Sequence, residues 1–176
     1  MIFRPTRVEG VYVIDVERDA DERGWFARTY DPSQFAAVGL TWEIAQCSLS
    51  FNQSAGTLRG MHYQQAPYGE PKLVRCTNGR IFDVALDLRP RSATFRSWVG
   101  EVLTAERANA LFVPPGCAHG FLTLEDASEV FYSIGARFVP SSARGVRWND
   151  PAFGISWPRP PTVMSERDAT YPDFVL

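Results

Sequence analysis

Histidine and lysine are almost missing from this 176-residue chain. Only His62 and His119 represent the first, and Lys72 is the sole lysine among 18 basic residues, the rest being arginine. Cysteine is also sparse, and Cys47, Cys76 and Cys117 form an odd set at unrelated spacings. That argues against a disulfide framework and for a reducing compartment. No segment approaches the roughly 18 apolar residues of a membrane span. The first 24 residues are broken by charge every few positions, so a signal-peptide core is not expected there, and the expected location is the cytoplasm. A net charge of -2 and a pI near 5.7 exclude the broad basic footprint of a nucleic-acid binder. An anionic ligand would have to meet local arginines. Helical periodicity is scarce too, which leaves strands to build the fold.

What is present is a globular composition, 45% hydrophobic and 13% aromatic, at a length suited to one domain over residues 1–176. Short β-rich runs (VYVIDV, TLRGMHYQ, KLVRCT, RIFDVALDL, SWVGEVL, ALFVPP, GFLTL, EVFYSI) alternate with Gly, Pro, Asn and Asp. This spacing predicts an all-β sandwich or barrel with few short helices. One helix is expected, Pro32 to Val38, after the N-cap type residue Asp31 and before Gly39. The proline-rich WPRPPTV segment reads as an extended surface closure.

Asn78-Gly79 is the strongest turn signal and predicts a two-residue hairpin pairing Thr77 with Arg80, Val74 with Asp83 and Lys72 with Ala85. Alternation puts Lys72, Val74, Cys76, Ile81, Asp83, Ala85 and Asp87 on one face. Leu73, Phe82, Val84, Leu86 and Leu88 fall on the other. The first face, small and holding a lysine diagonal to an aspartate, reads equally as a solvent face with a weak ion pair or as the lining of a cavity.

His119 closes a P-x-G-x-x-H pattern (Pro114 to His119), and His62 follows Gly56 by six positions. Both spacings resemble the two cupin motifs, which implies a double-stranded β-helix, or jelly roll, with both histidines near its mouth. A metal-binding cupin would supply a second histidine where Gln64 stands, and the chain has no further histidine. Two imidazoles without clustered carboxylates make a poor transition-metal site. A histidine not committed to metal can serve as a base. Neither metal nor cofactor is expected.

Over nearly its whole length the sequence resembles the dTDP-4-dehydrorhamnose 3,5-epimerase family. The resemblance rests on DERGWF (21–26), GTLRGMHYQ (56–64), KLVRC (72–76), IFDVALDLR (81–89) and LFVPPGCAHGFLTL (111–124). It continues through EVFY (129–132), RGVRWNDPAFGISWP (144–158) and SERD (165–168). It implies that His62 is a catalytic base paired with Asp168. Tyr132 would be the general acid on the opposite face of the sugar, and Lys72 the cation near the enolate oxygen, with Asp83 close by. Arg59 and His119 would hold the diphosphate and sugar, and Arg23 and Phe26 would contact the nucleotide. The implied substrate is a nucleotide-diphosphate 4-keto sugar of deoxysugar biosynthesis, and the implied assembly is a homodimer, with N-terminal strands crossing between subunits.

The chemistry asks for such a set. A carbon acid beside a ketone has a pKa on the order of 20, so a neutral imidazole removes its proton only if the enolate is stabilised as it forms. Inversion then needs a second proton donor on the far face. Strict alternation, however, puts Arg59 and His62 on opposite sides of their strand, so the ladder must be disturbed, with Gly60 the natural place for a bulge. Two departures fall at the nucleotide end. Arg28 stands where the family carries Glu, and Gln46-Cys47-Ser48-Leu49-Ser50 replaces Q-D-N-H-S. The base therefore stays open between dTDP, CDP and GDP, and inversion at C3, C5 or both stays open with it. A 3,4-ketoisomerase and a catalytically silent nucleotide-sugar-binding cupin are the rival readings.

Overall fold

The computed structural model describes residues 1–175. In chain order, β1 (Ile2–Pro5), β2 (Tyr12–Asp15), β3 (Arg18–Asp21) and β4 (Gly24–Ala27) precede helix α1 (Pro32–Ala37). Next come β5 (Gln46–Asn52), β6 (Leu58–Gln64), β7 (Lys72–Asn78), β8 (Arg80–Asp87) and β9 (Trp98–Thr104). The strands end with β10 (Ala110–Val113), β11 (Cys117–Thr123), β12 (Ser128–Ile134) and β13 (Ala143–Gly145), and α2 (Glu166–Ala169) follows. No helix among the described residues is long and apolar enough to cross a membrane.

A six-stranded sheet, ordered β1-β2-β10-β7-β12-β5, faces a five-stranded sheet, ordered β13-β6-β11-β8-β9. From β6 onward the chain passes back and forth between the two, as a jelly roll requires. Between the sheets lie Val74, Cys76, Leu111 and Val130 from the first and Ile81, Ala85, Leu103 and Phe121 from the second. The outer face of the first sheet is sealed by α1, where the fully buried Phe35 meets Leu73 and Phe112. The outer face of the second is covered by the C-terminal segment, with Phe153, Trp157 and Phe174 against Val84 and Leu86. The helix forms as expected. Asp31 accepts a hydrogen bond from Ser33 N–H, Pro32 occupies its first turn, and Gly39 follows it at φ 81°.

The expected Asn78-Gly79 hairpin does not form. That turn, with Gly79 at φ 74°, carries the chain from one sheet to the other. Lys72 lies opposite Val113 and Ile134, while Asp83 lies opposite Phe121 and Glu101. The division into faces survives, because Val74, Cys76, Ile81 and Ala85 all point into the inter-sheet core. A two-strand alternation is satisfied equally by one hairpin face or by two rows facing each other across a sandwich. Distant partners choose between them, and here β10 and β12 claim β7 while β9 and β11 claim β8.

The strand irregularity expected at Gly60 is present. The register of β11 against β6 shifts between His119 and Phe121, so that His119 opposes His62 and Phe121 opposes Arg59. Gly60 has φ 131°, and a Cβ there would lie 2.5 Å from Gly120 Cα and 2.9 Å from the His119 carbonyl oxygen. The two backbones touch where only glycine fits. Gly60→Ala should therefore cost roughly 2–3 kcal/mol by overpacking, read as a Tm lower by about 4–12 °C in thermal unfolding. A Tm within about a degree of the parent would contradict the close approach.

Candidate active site

A cavity of about 790 Å³ opens between the sheets, within the size range of small-molecule sites. Its walls come from both sheets. β6 and β11 contribute Arg59, His62 and His119, while β5, β7 and β12 contribute Gln46, Ser48, Lys72 and Tyr132. His62 and Tyr132 thus stand on opposite walls. The C-terminal segment closes one side with Val163, Met164, Arg167 and Asp168.

Three carboxylates stand behind the three basic side chains. His62 Nε2 lies 2.6 Å from Asp168 Oδ1, and the other oxygen accepts from the Gly60 N–H at 3.1 Å. A carboxylate can only accept, so Nε2 carries the proton and Nδ1 keeps the free lone pair. Asp168 sits on the single turn of α2, where Ser165 caps its N–H at 3.1 Å. Burial works against its charge, but the hydrogen bonds from His62 and Gly60 outweigh it and hold the carboxyl below the ordinary aspartate range. His62 keeps 39% of its side chain exposed while Asp168 keeps 6%, so the imidazole faces the cavity and the carboxylate backs it.

Deeper in the barrel, His119 Nε2 lies 2.8 Å from Asp83 Oδ1, both side chains being buried. Burial pushes the Asp83 carboxyl above its ordinary range despite His119 and, more weakly, Lys72. Asp83 is hydrogen-bonded to His119, and Lys72, whose charge also acts on Asp83, pairs with Glu70 at 2.9 Å. The crossover at Gly79 puts Lys72 and Asp83 in opposite sheets.

Tyr132 packs against the inter-sheet core, edge-on to His119 with ring centroids 6.0 Å apart. Burial raises its phenol above the usual value of 10, the nearby Ser50 hydroxyl only partly offsetting that. It stays protonated across ordinary pH. Arg59 is fixed by Nε donating to Asn52 Oδ1 at 2.8 Å, and Arg144 and Arg167 add two further guanidinium groups to the cavity lining.

Of the eleven side chains singled out in the sequence, seven line this cavity (His62, Tyr132, Asp168, Lys72, Gln46, Arg59 and His119), and Asp83 lies directly behind His119. Arg23, Phe26 and Arg28 do not reach it. The first two belong to the separate β3–β4 ribbon, where Arg23 pairs with Asp21 and Phe26 is 70% exposed. Arg28 stands just beyond, paired with Asp31 at 3.4 Å. Glu70, Arg144 and Arg167 went unread in the sequence. Only Glu70 left a local signal, since an extended residue before Pro71 puts it on the same side as Lys72. Among the described residues, no group of three or more His, Cys, Asp or Glu side chains converges as a metal site requires.

Known proteins resemble this chain over nearly its whole length. The family model for dTDP-4-dehydrorhamnose 3,5-epimerase matches residues 5–175. The chain is 38% identical over 175 residues to the dTDP-4-dehydrorhamnose 3,5-epimerase of Sinorhizobium fredii, covering 99% of this chain and 90% of that one. Its structure resembles the crystal structure of the Elizabethkingia anophelis enzyme of that name, with TM-score 0.95 and 35% identity over 99% of this chain and 96% of the other. It likewise resembles the Bacillus anthracis enzyme of that name with TDP and PPi bound, with TM-score 0.94 and 33% identity over 98% and 99% of the two chains. By sequence and by structure, this chain belongs to the dTDP-4-dehydrorhamnose 3,5-epimerase family.

Proposed function

We propose that the 176 residues act as one domain that epimerises a nucleotide-linked 4-keto-6-deoxyhexose, inverting C3, C5 or both through an enolate. The observation that carries this reading is the placement of His62 and Tyr132 on opposite walls of one cavity, with Lys72 on the Tyr132 wall, where β7 pairs with β12. His62 Nδ1 takes the proton from the carbon beside the ketone, and Asp168 stabilises the imidazolium that results. As the C–H bond breaks, its electron pair moves into the enolate and negative charge gathers on the carbonyl oxygen. The Lys72 ammonium, with 8% of the residue exposed, meets that charge where little water competes. Tyr132 then gives its phenolic proton to the carbon from the far wall, and the centre inverts.

Arg59, Arg144 and Arg167 suit a diphosphate, since guanidinium forks match phosphate oxygens. The TDP bound to the Bacillus anthracis relative supports thymidine as the base, although Arg28 lies away from the cavity and Cys47 points outward on β5. The exposed apolar side chains of the ribbon, Trp25 and Phe26, and of the edge strand β5, Leu49 and Phe51, support a homodimer. In it, the ribbon of one copy would carry Arg23 and Phe26 toward the site of the other. Three free cysteines fit a reducing cytoplasm.

The test is incubation in D2O with dTDP-4-keto-6-deoxyglucose and its CDP and GDP analogues, following C3 and C5 by NMR. Deuterium at both carbons with inversion is the expected outcome for the dTDP sugar. Binding without exchange for every nucleotide would reduce the protein to a nucleotide-sugar binder.

A further inference from the structure

The lysine in the cavity wall is itself held. Glu70 stands two residues before it, and each side chain of the pair is only 10% exposed. Glu70 Oε1 lies 2.9 Å from Lys72 Nζ, and Oε2 accepts from Gln64 Nε2 at 3.1 Å. Gln64 has no freedom to turn. Its Oε1 accepts from the Val139 N–H at 2.6 Å, and its Nε2 faces the carbonyls of Tyr68 at 3.2 Å and Arg137 at 3.1 Å. The amide must therefore present N–H to Glu70. A carboxylate accepts at both ends, whereas a glutamine in its place would offer one acceptor to two donors.

We propose that Glu70 is a positioning residue, which fixes the Lys72 ammonium in the cavity before substrate arrives and is itself registered through Gln64 to the connections 65–71 and 135–142. This rests on the reading that Lys72 meets the oxyanion. A lysine tail has four flexible methylene groups and no preset direction, so an unheld ammonium would spread over several rotamers. The carboxylate also subtracts from the positive charge that Lys72 offers. Position outweighs that subtraction, because an oxyanion hole acts only when its donor is already in place.

The experiment compares the parent enzyme with Glu70→Gln, Lys72→Met and the double variant, using dTDP-4-keto-6-deoxyglucose in D2O. Glu70→Gln should lower kcat by about 100-fold while KM changes by less than about threefold. Adding Glu70→Gln to Lys72→Met should bring no further loss. A kcat within about twofold of the parent, or an equal loss in the Lys72→Met background, overturns the proposal. Since Lys72 is the only lysine, 15N-lysine labelling gives one side-chain ammonium signal, which Glu70→Gln should shift or broaden. An unchanged signal overturns the proposal as well. If the parent protein exchanges no deuterium at all, the epimerase reading fails, and the lysine signal still decides whether Glu70 holds Lys72.

Discussion

Replacing His62 by alanine should abolish deuterium exchange at every carbon the parent enzyme labels, with a loss of about 10⁴-fold, the upper end for a general base. The size follows from the cavity lining. Asp168 is committed to His62 and to Gly60 N–H, and Glu70 to Lys72 and Gln64. The remaining imidazole, His119, is 4% exposed and tied to the buried Asp83. No other side chain in the wall pairs a free lone pair with an open approach to the sugar. The fold should survive the change, because His62 is partly exposed to the cavity and its removal leaves a solvated space. Exchange at one carbon retained at the parent rate would mean that the two carbons use different bases. Full exchange at both would remove His62 from the role.

Tyr132→Phe should separate exchange from inversion. The enolate still forms, because His62, Asp168 and Lys72 are unchanged, and the imidazolium can return a proton only to the wall it came from. Deuterium then enters with retention, while inversion falls by roughly 10²–10⁴-fold for want of the acid. The ring itself packs against the inter-sheet core, and phenylalanine preserves that packing, so thermal unfolding should change little. Burial raises the Tyr132 phenol above its usual value of 10, so in the parent enzyme the acid form persists as pH climbs from 7 toward 10. Inversion should not fade in that window through loss of this proton. Equal losses of exchange and inversion in Tyr132→Phe would show that the tyrosine does more than protonate the far face.

The sequence was informative where the physics is local. Alternation with period two divided the side chains of KLVRC and IFDVALDL into two faces, and Val74, Cys76, Ile81 and Ala85 share one of them, the face that the fold turns inward. Asp31, Pro32 and Gly39 bounded the helix through capping chemistry that acts within one turn. Gly60 marked the irregularity that lets Arg59 and His62 share a cavity, since no other residue tolerates that approach to Gly120. Scarcity helped as well. With one lysine and two histidines in the chain, the side chains able to offer an ammonium or an imidazole to the reaction were only three.

Tertiary structure decided the matters that depend on partners far apart in sequence. Asn78-Gly79 is a turn in either topology, and only the pairing of β7 with β10 and β12 made it a crossover between sheets. The same crossover put Asp83 and Lys72 in opposite sheets, where Asp83 backs His119 and Glu70 holds the lysine. The pairing of β3 with β4 as a ribbon of their own leaves Arg23 and Phe26, with Arg28 just beyond, outside the cavity of their own chain, although the family resemblance groups them with the site. Side-chain direction follows from backbone sterics within a few residues, and a single chain's sequence states it. Which strand lies beside which is a balance of burial over the whole domain, and which carboxylate stands behind which base depends on that balance.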